Sequence, residues 1–299
     1  MAKIARRDLI NRFIATPGKK LSLRRDFDSD YKPDGLSKVQ AKALLQAGIE
    51  QLAKFQDMLY AQHTHALLII LQAMDAAGKD GVIKHVMSGV NPQGCQVHSF
   101  KAPSGEELNH DYMWRCFRRL PERGLIGIFN RSYYEEVLVV RVHPELLERQ
   151  RIPPELKGKG IWKKRFEEIN SFERYLANNG IHVIKLCLNL SKEEQRKRFL
   201  ARIERPEKNW KFSTADARER AHWDEYMDAY EDALAHTSTE WAPWYVVPAD
   251  TKWFARLVVS NIICSRLECL DLRYPEVDDE HRKEIANARV LLEGEASEG

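Results

Sequence analysis

Apolar positions along the 299-residue chain follow two spacings, the three-to-four-residue repeat of an amphipathic helix and short unbroken runs of strand length. Ser37 to Ala61 has the first, with Leu44, Leu45, Ile49, Leu52, Phe55 and Leu59 on one stripe and Ser37 placed as N-cap. Ala66 to Leu71 (ALLIIL) has the second, the composition of a parallel strand buried on both faces. Leu125 to Phe129 (LIGIF) and Ile181 to Leu188 (IHVIKLCL) read the same way, Gln96 to Phe100 alternates, and Trp244 to Val247 is a short fifth strand. Helical patterns lie between and after them: Gly78 to about Val90, Ser104 to Leu120, Ile161 to Ala177, Lys192 to Ile203, Thr214 to Leu234 and Lys252 to Leu270. Strands alternating with helices of this length predict an α/β domain over 36–275 with a parallel sheet of about five strands and helices on both faces. Residues 1–35 lack periodicity and read as a basic arm draped over that domain, and 276–299 as an acidic tail. Ligands of such folds bind beyond the carboxyl ends of the strands, so chemistry is expected just after Leu71 and Phe129.

Composition narrows the function classes. With 43% hydrophobic and 30% charged residues of both signs, the chain reads as a soluble globular protein. Its longest apolar run, Ala66 to Leu71, is far short of the roughly 20 residues that span a bilayer. Arg6, Arg7 and Arg12 interrupt any signal-peptide pattern, so a cytoplasmic location is expected. The five cysteines are scattered and form no CxxC pair, so reduced thiols packed as small hydrophobes are expected. No HExxH or HxH spacing occurs among the ten histidines, so no structural transition metal is expected, and His110 and His143 read as structural. Trp210, Trp223, Trp244 and Trp253 read as core residues.

The net charge of +3 conceals polarity along the chain. Met1 to Arg25 holds eight basic residues and one acidic, whereas Glu276 to Gly299 holds eight acidic and three basic. Lys157 to Arg165 carries five cations and no acid, and Ser191 to Lys211 eight cations against four acids. Such runs are either solvated helix faces or a surface for a polyanion. Phosphate chemistry elsewhere in the chain decides between these.

Directly after ALLIIL comes Gln72-Ala73-Met74-Asp75-Ala76-Ala77-Gly78-Lys79-Asp80-Gly81. Small residues let backbone N–H groups curl around an anion, the following helix aims its positive end at the same place, and Lys79 adds a full charge. Against the generic GxxxxGK[ST] loop, Ala73 replaces the first glycine and Asp80 the hydroxyl residue that ligates metal. Asp75 is then a replacement metal ligand, or a base for the attacking oxygen. The third strand ends in Asn130-Arg131, where Asn130 takes the place usual for a metal-binding carboxylate. Arg131 can grip phosphate oxygens bidentately, and Glu135 follows about one turn on. Lys101 and Arg115 can touch phosphate or form ordinary salt bridges.

Together these segments resemble the family-2 polyphosphate kinases. The resemblance rests on LQAMDAAGKDG (71–81), SFKAPSGEELNHDYMWR (99–115), FNRSYYEEVLVVRVH (129–143), EEQRKRFLARIERPEKNWKFS (193–213) and TSTEWAPWYVVPADTKW (237–253), and within the family it is to class III. It implies a thymidylate-kinase-like P-loop fold, three-layered α/β/α, with a helical lid at about 191–213. It implies Mg²⁺-dependent, reversible transfer of the terminal phosphoryl group of polyphosphate to AMP, ADP or their guanosine counterparts, with Mn²⁺ as a substitute metal. Asp75 becomes the metal-binding catalytic carboxylate, Lys79 the P-loop cation within Ala76, Ala77, Gly78, Lys79, Asp80 and Gly81, and Glu135 an acceptor-handling residue. Arg131 is expected to bind the phosphate chain with Arg198 and Arg202, which lie four apart and share a helix face, and Lys101 and Lys208 to add cations. The other readings are an ATP-dependent nucleoside monophosphate kinase and a nucleic-acid-binding P-loop module; the leading one expects no membrane or nucleic-acid partner. A homodimer or homotetramer is expected, and Lys252 to Leu270 reads either as a core helix or as one that pairs subunits.

Overall fold

The computed structural model describes residues 6–295; the first five residues of the arm and the last four of the tail lie outside them. In chain order the elements are α1 (Arg6–Asn11), α2 (Lys38–Gln62), β1 (Ala66–Gln72), α3 (Lys79–Val86), β2 (Cys95–Ser99), α4 (Trp114–Phe117), β3 (Ile126–Asn130), α5 (Val139–Val142) and α6 (Pro144–Glu148). They continue with α7 (Ile161–Asn178), β4 (Ile181–Asn189), α8 (Lys192–Ile203), α9 (Pro206–Asn209), α10 (Thr214–Glu219), α11 (Trp223–Thr237), β5 (Trp244–Pro248), α12 (Lys252–Glu268) and α13 (Asp279–Glu295).

The five strands form one parallel sheet in the order β2-β3-β1-β4-β5. All seven residues of β1 are buried, and their alternation feeds two cores. Leu67, Ile69 and Leu71 pack with residues of α2, α3 and α12 on one face, Leu68 and Ile70 with α7 and α11 on the other. Each such fully buried aliphatic side chain contributes about 1.5–3 kcal/mol, which is why the run contains almost no polar residue. The connections leaving the adjacent strands β1 and β3 run in opposite directions across the sheet, to β2 and to β4, so their carboxyl ends bracket a crevice.

At the N-terminus, Leu9, Ile10, Phe13, Ala15, Leu21 and Leu23 are buried. The arm bridges the outer edge of β5 at Ile14 and Tyr245, and the Val246 and Ala15 N–H groups donate to Phe13 and Trp244 carbonyls at 2.7 and 2.9 Å. This covers an edge that would otherwise present unpaired backbone groups. The tail helix α13 is exposed through residue 294. Among the described residues no helix is long and apolar enough to cross a membrane.

Several expected elements differ. The Ser104–Leu120 helix is broken: Ser104 and Glu107 cap each other's backbone N–H groups, yet the chain turns extended at His110 (ψ 171°) and re-enters a helical turn only at Trp114. The Asp111 carboxylate accepts from the Met113 and Trp114 N–H groups, the local side-chain competition that stops helices. The Thr214–Leu234 pattern is split by a 3-10 turn at Arg220–His222, and α3 stops at Val86. Lys252–Glu268 is no exposed pairing helix, since ten of its residues are buried against the body. Trp223 and Trp244 are core residues at 2% exposure, whereas Trp210 is 78% exposed. All five cysteines are free thiols, and Cys116, Cys187 and Cys264 are buried.

Candidate active site

Between β1 and α3 the chain makes a tight loop through two left-handed residues, Ala76 (φ 62°) and Gly78 (φ 107°). Glycine adopts that region without steric cost and alanine at about 1–3 kcal/mol, so Ala76 is held there by its surroundings. Such a loop turns successive N–H groups toward one side and delivers them to the positive end of α3. The Lys79 ammonium donates to the Ala73 carbonyl at 2.8 Å, closing the loop across its base. Burial, and then the nearby Arg131, lower its pKa below the ordinary lysine value, while Asp75, Glu135 and Asp80 work against them.

Arg131, just past the carboxyl end of β3, is also left-handed (φ 66°), and its N–H donates to the Leu71 carbonyl at 3.0 Å. This draws the two strand ends together. The guanidinium spans two carboxylates, with Asp75 Oδ1 at 2.8 Å and Glu135 Oε2 at 3.2 Å. Glu135 foremost, with Asp75 behind it, holds the Arg131 pKa above its ordinary value despite burial. Asn130 donates to Asp80 Oδ1 at 2.9 Å and so fixes the loop. Beneath, Tyr133 and Tyr134 are buried and both donate to Glu173, which anchors the turn carrying Arg131 and Glu135.

Two cavities meet at this point. One, about 380 Å³, is bounded by Asp75, Arg131, Glu135, Gln195, Asp216 and Tyr230 among others. The second, about 320 Å³, lies on the other side of Arg131 and Glu135 and includes Lys101, Tyr112, Arg115, Arg149 and Arg165.

The structure therefore brings together Asp75, Lys79, Arg131, Glu135 and the loop 76–81, and puts Lys101 in the second cavity. Arg115 beside it spends its guanidinium on the Lys101 carbonyl at 2.6 Å. Arg198 does not join Arg202 in an open cationic row. It is 7% exposed and donates to the carbonyls of Ala76, Ala77, Ala249 and Asp250 and to Glu194, so backbone carbonyls occupy its guanidinium. Arg202 faces Asp216 at 3.6 Å, and Lys208, on α9, borders neither cavity. Burial first, and Asp75 second, raise the Asp216 pKa.

Sequence reasoning missed much of the first cavity's wall. His143 Nε2 donates to Glu219 Oε2 at 2.9 Å, Tyr226 donates to the same Glu219 oxygen at 3.0 Å, and Arg220 donates to Gln195 at 2.7 Å. Histidine spacing could not reveal His143, whose partner is 76 residues away. His110 stacks flat on Trp114 at 3.8 Å beside the second cavity.

Residues 35–275 match the family described as polyphosphate kinase 2. The chain is 55% identical over 276 residues to an ADP-polyphosphate phosphotransferase of Rhodopseudomonas palustris, covering 92% of this chain and 95% of that protein. It is 41% identical over 288 residues to an AMP/ADP-polyphosphate phosphotransferase of Meiothermus ruber, covering 95% and 100% respectively. Among solved structures, polyphosphate kinase 2 from Arthrobacter aurescens superposes with a TM-score of 0.82 at 40% identity, over 92% of this chain and 98% of that one.

Proposed function

The chain belongs to the polyphosphate kinase 2 family, and from that premise we propose that it transfers the terminal phosphoryl group of inorganic polyphosphate to AMP and ADP, with GMP and GDP as further acceptors. The observation that carries this reading is the Arg131 guanidinium, bridged to Asp75 and Glu135 on the wall common to two cavities at the mouth of the P-loop. Donor and acceptor approach one transfer point from its two sides. Phosphoryl transfer asks little covalent chemistry of a protein, only in-line placement and neutralisation of the equatorial oxygens. The loop N–H groups and Lys79 take the transferring phosphoryl group, and Arg131 spans donor and acceptor oxygens.

Both carboxylates neutralise Arg131. An entering phosphate competes with them for the guanidinium and releases Asp75 toward a divalent cation. Among the described residues no group of three or more His, Cys, Asp or Glu side chains could hold a metal. A cation held by Asp75 therefore draws its remaining ligands from phosphate and water, the habit of Mg²⁺, with Mn²⁺ substituting. When bound, the ion supplies charge neutralisation at the phosphate oxygens.

Purified protein should form ADP from AMP and ATP from ADP with polyphosphate and Mg²⁺. Formation of neither would refute the proposal. Full activity with ATP as sole donor, together with indifference to polyphosphate, would reassign the chain to ATP-dependent monophosphate phosphorylation.

A further inference from the structure

Each carbonyl from Ala73 to Ala77 has a defined partner. Ala73 accepts from Lys79 Nζ at 2.8 Å, and Met74 from the Ala77 N–H at 3.3 Å. Asp75 accepts from Gln195 Nε2 at 2.9 Å, and Ala76 and Ala77 from one nitrogen of Arg198 at 3.0 and 2.8 Å. Gln195 and Arg198 sit on the same side of α8, at 2% and 7% exposure, and are themselves fixed. Arg220 donates to Gln195 Oε1 at 2.7 Å, which sets the amide so that its NH₂ faces the loop. The other terminal nitrogen of Arg198 donates to Ala249 and Asp250 carbonyls at 2.6 and 2.9 Å, and its Nε donates to Glu194 at 2.8 Å. The N-terminal end of α8 is tied down as well, by the Ser191 N–H donating to Asp250 at 2.8 Å.

In a planar peptide the carbonyl and the N–H point in opposite directions, so pulling the Asp75, Ala76 and Ala77 carbonyls backward turns the N–H groups of Ala76, Ala77 and Gly78 the other way; of these, Ala77 donates to Met74 and Gly78 opens the free set at the head of α3. Among the described residues the N–H groups of Gly78, Lys79, Asp80 and Gly81 meet no protein acceptor, as at the start of any helix. Left-handed Ala76 lies in the middle of the held stretch, and the clamp supplies the external restraint that such a conformation needs.

We propose that Gln195 and Arg198 are positioning residues that orient the P-loop peptide groups from behind, and that α8 preorganises the phosphate cradle instead of contributing a cation to it. The proposal rests on the reading of this loop as the phosphate site. It separates Arg198 from Lys79 and Arg131, since a clamp does not touch the donor and a phosphate ligand does. It also gives a neutral side chain, Gln195, a share in binding a polyanion.

The test compares Gln195→Leu and Arg198→Gln with the intact protein, measuring kcat, the KM for polyphosphate and for the acceptor, and the salt dependence of the polyphosphate KM. Misdirecting a preorganised donor set costs on the order of 10–100-fold, so both variants should lose about that much in kcat/KM for polyphosphate. In Arg198→Gln, whose side chain borders neither cavity, the acceptor KM should hold within about twofold. A direct phosphate cation contributes about 0.7–0.9 to the slope of log affinity against log salt. The clamp predicts an unchanged slope in both variants. Near-normal kinetics in Gln195→Leu, or a slope in Arg198→Gln reduced by about one charge, overturns it. If the wild-type protein shows no polyphosphate-dependent transfer, the functional reading has failed and amide hydrogen exchange at Ala77 and Val82, whose N–H groups donate to the Met74 and Gly78 carbonyls, decides on the clamp alone. Exchange at least about tenfold faster in Gln195→Leu supports it, and unchanged exchange refutes it.

Discussion

Removing one member of the buried Lys185–Glu173 pair should destabilise the protein far more than removing both. Lys185 lies mid-strand in β4 and Glu173 on α7, each side chain fully buried, with Nζ and Oε2 at 2.6 Å. The ammonium also donates to the Tyr134 hydroxyl at 3.0 Å and the Thr237 carbonyl at 2.5 Å, while Glu173 accepts from Tyr133 and Tyr134 at 2.9 and 2.8 Å. Lys185→Met leaves the carboxylate with two phenol donors and no countercharge. Glu173→Gln leaves an ammonium facing one hydroxyl and one carbonyl. Uncompensated buried charge costs about 3–5 kcal/mol, or a melting shift of about 10 °C in a chain of this size. In Lys185→Met/Glu173→Gln the glutamine still accepts from the tyrosines and no charge is stranded, so the double variant should lose less than either single variant, and less than their sum by well over about 2 kcal/mol.

The sign of the pH dependence is a second check on the pair. Burial lowers the Lys185 pKa below 10.5 and Glu173 raises it. Glu173→Gln depresses it further, so over the interval up to 10.5 the unfolded chain binds more protons than the folded one and stability rises with pH. The deficit of Glu173→Gln should therefore shrink as pH increases. Urea unfolding followed by far-UV circular dichroism, with transfer activity in parallel, measures all of this. Additive costs in the double variant, or single-variant losses below about 1 kcal/mol, would refute the coupling. Because Tyr133 and Tyr134 anchor the turn bearing Arg131 and Glu135, the single variants should also lose kcat at temperatures where they remain folded.

Asp75→Asn and Arg131→Ala should each lower transfer at least about 100-fold with an unchanged circular dichroism spectrum, and near-normal turnover in either would remove it from the site. The alkaline limb of kcat/KM for polyphosphate should fall below pH 10.5, because on the proposed function Lys79 holds the donor as an ammonium and its pKa is lowered by burial and Arg131. Bound polyanion raises that pKa again, so the kcat limb should lie at higher pH, and coincident limbs in kcat and kcat/KM would exclude Lys79 as the titrating group. His182, packed against His65 and Arg266, is held at a pKa of about 4 against an ordinary 6.5, chiefly by burial. The unfolded chain therefore binds the extra proton between those values, and stability should decline as pH falls from about 6.5 to about 4. His182→Gln should flatten that part of the urea-midpoint profile; an identical slope would place the titration elsewhere.

The buried strands were legible because burial on both faces demands unbroken apolar runs, and ALLIIL, LIGIF and IHVIKLCL match β1, β3 and β4 to within a residue or two. Helices with capping residues at their starts were equally plain: Ser37 forms a capping box with Gln40, and Ser191 caps Glu194 at the head of α8. Ser104 carries the same signal and forms the same cap, yet no long helix follows, because Asp111 restarts the chain a few residues later. A start signal says nothing about how far a helix runs.

Local spacing also placed the 73–81 loop, Lys79 and the Asn130-Arg131 strand end, since each depends on residues contiguous in the chain at a strand terminus. Sequence alone therefore determined the fold class and the position of the proposed cradle. Tertiary structure decided what each cation does. Arg198 and Arg202 are indistinguishable as basic residues four apart on one helix, but one is surrounded by four backbone carbonyls from two distant loops and the other faces Asp216. The same holds for Gln195, Asp216 and His143, which reach the first cavity only because α8, α10 and the α5–α6 corner converge on it. A guanidinium or an amide takes its role from the acceptors around it, and those come together only when the chain folds.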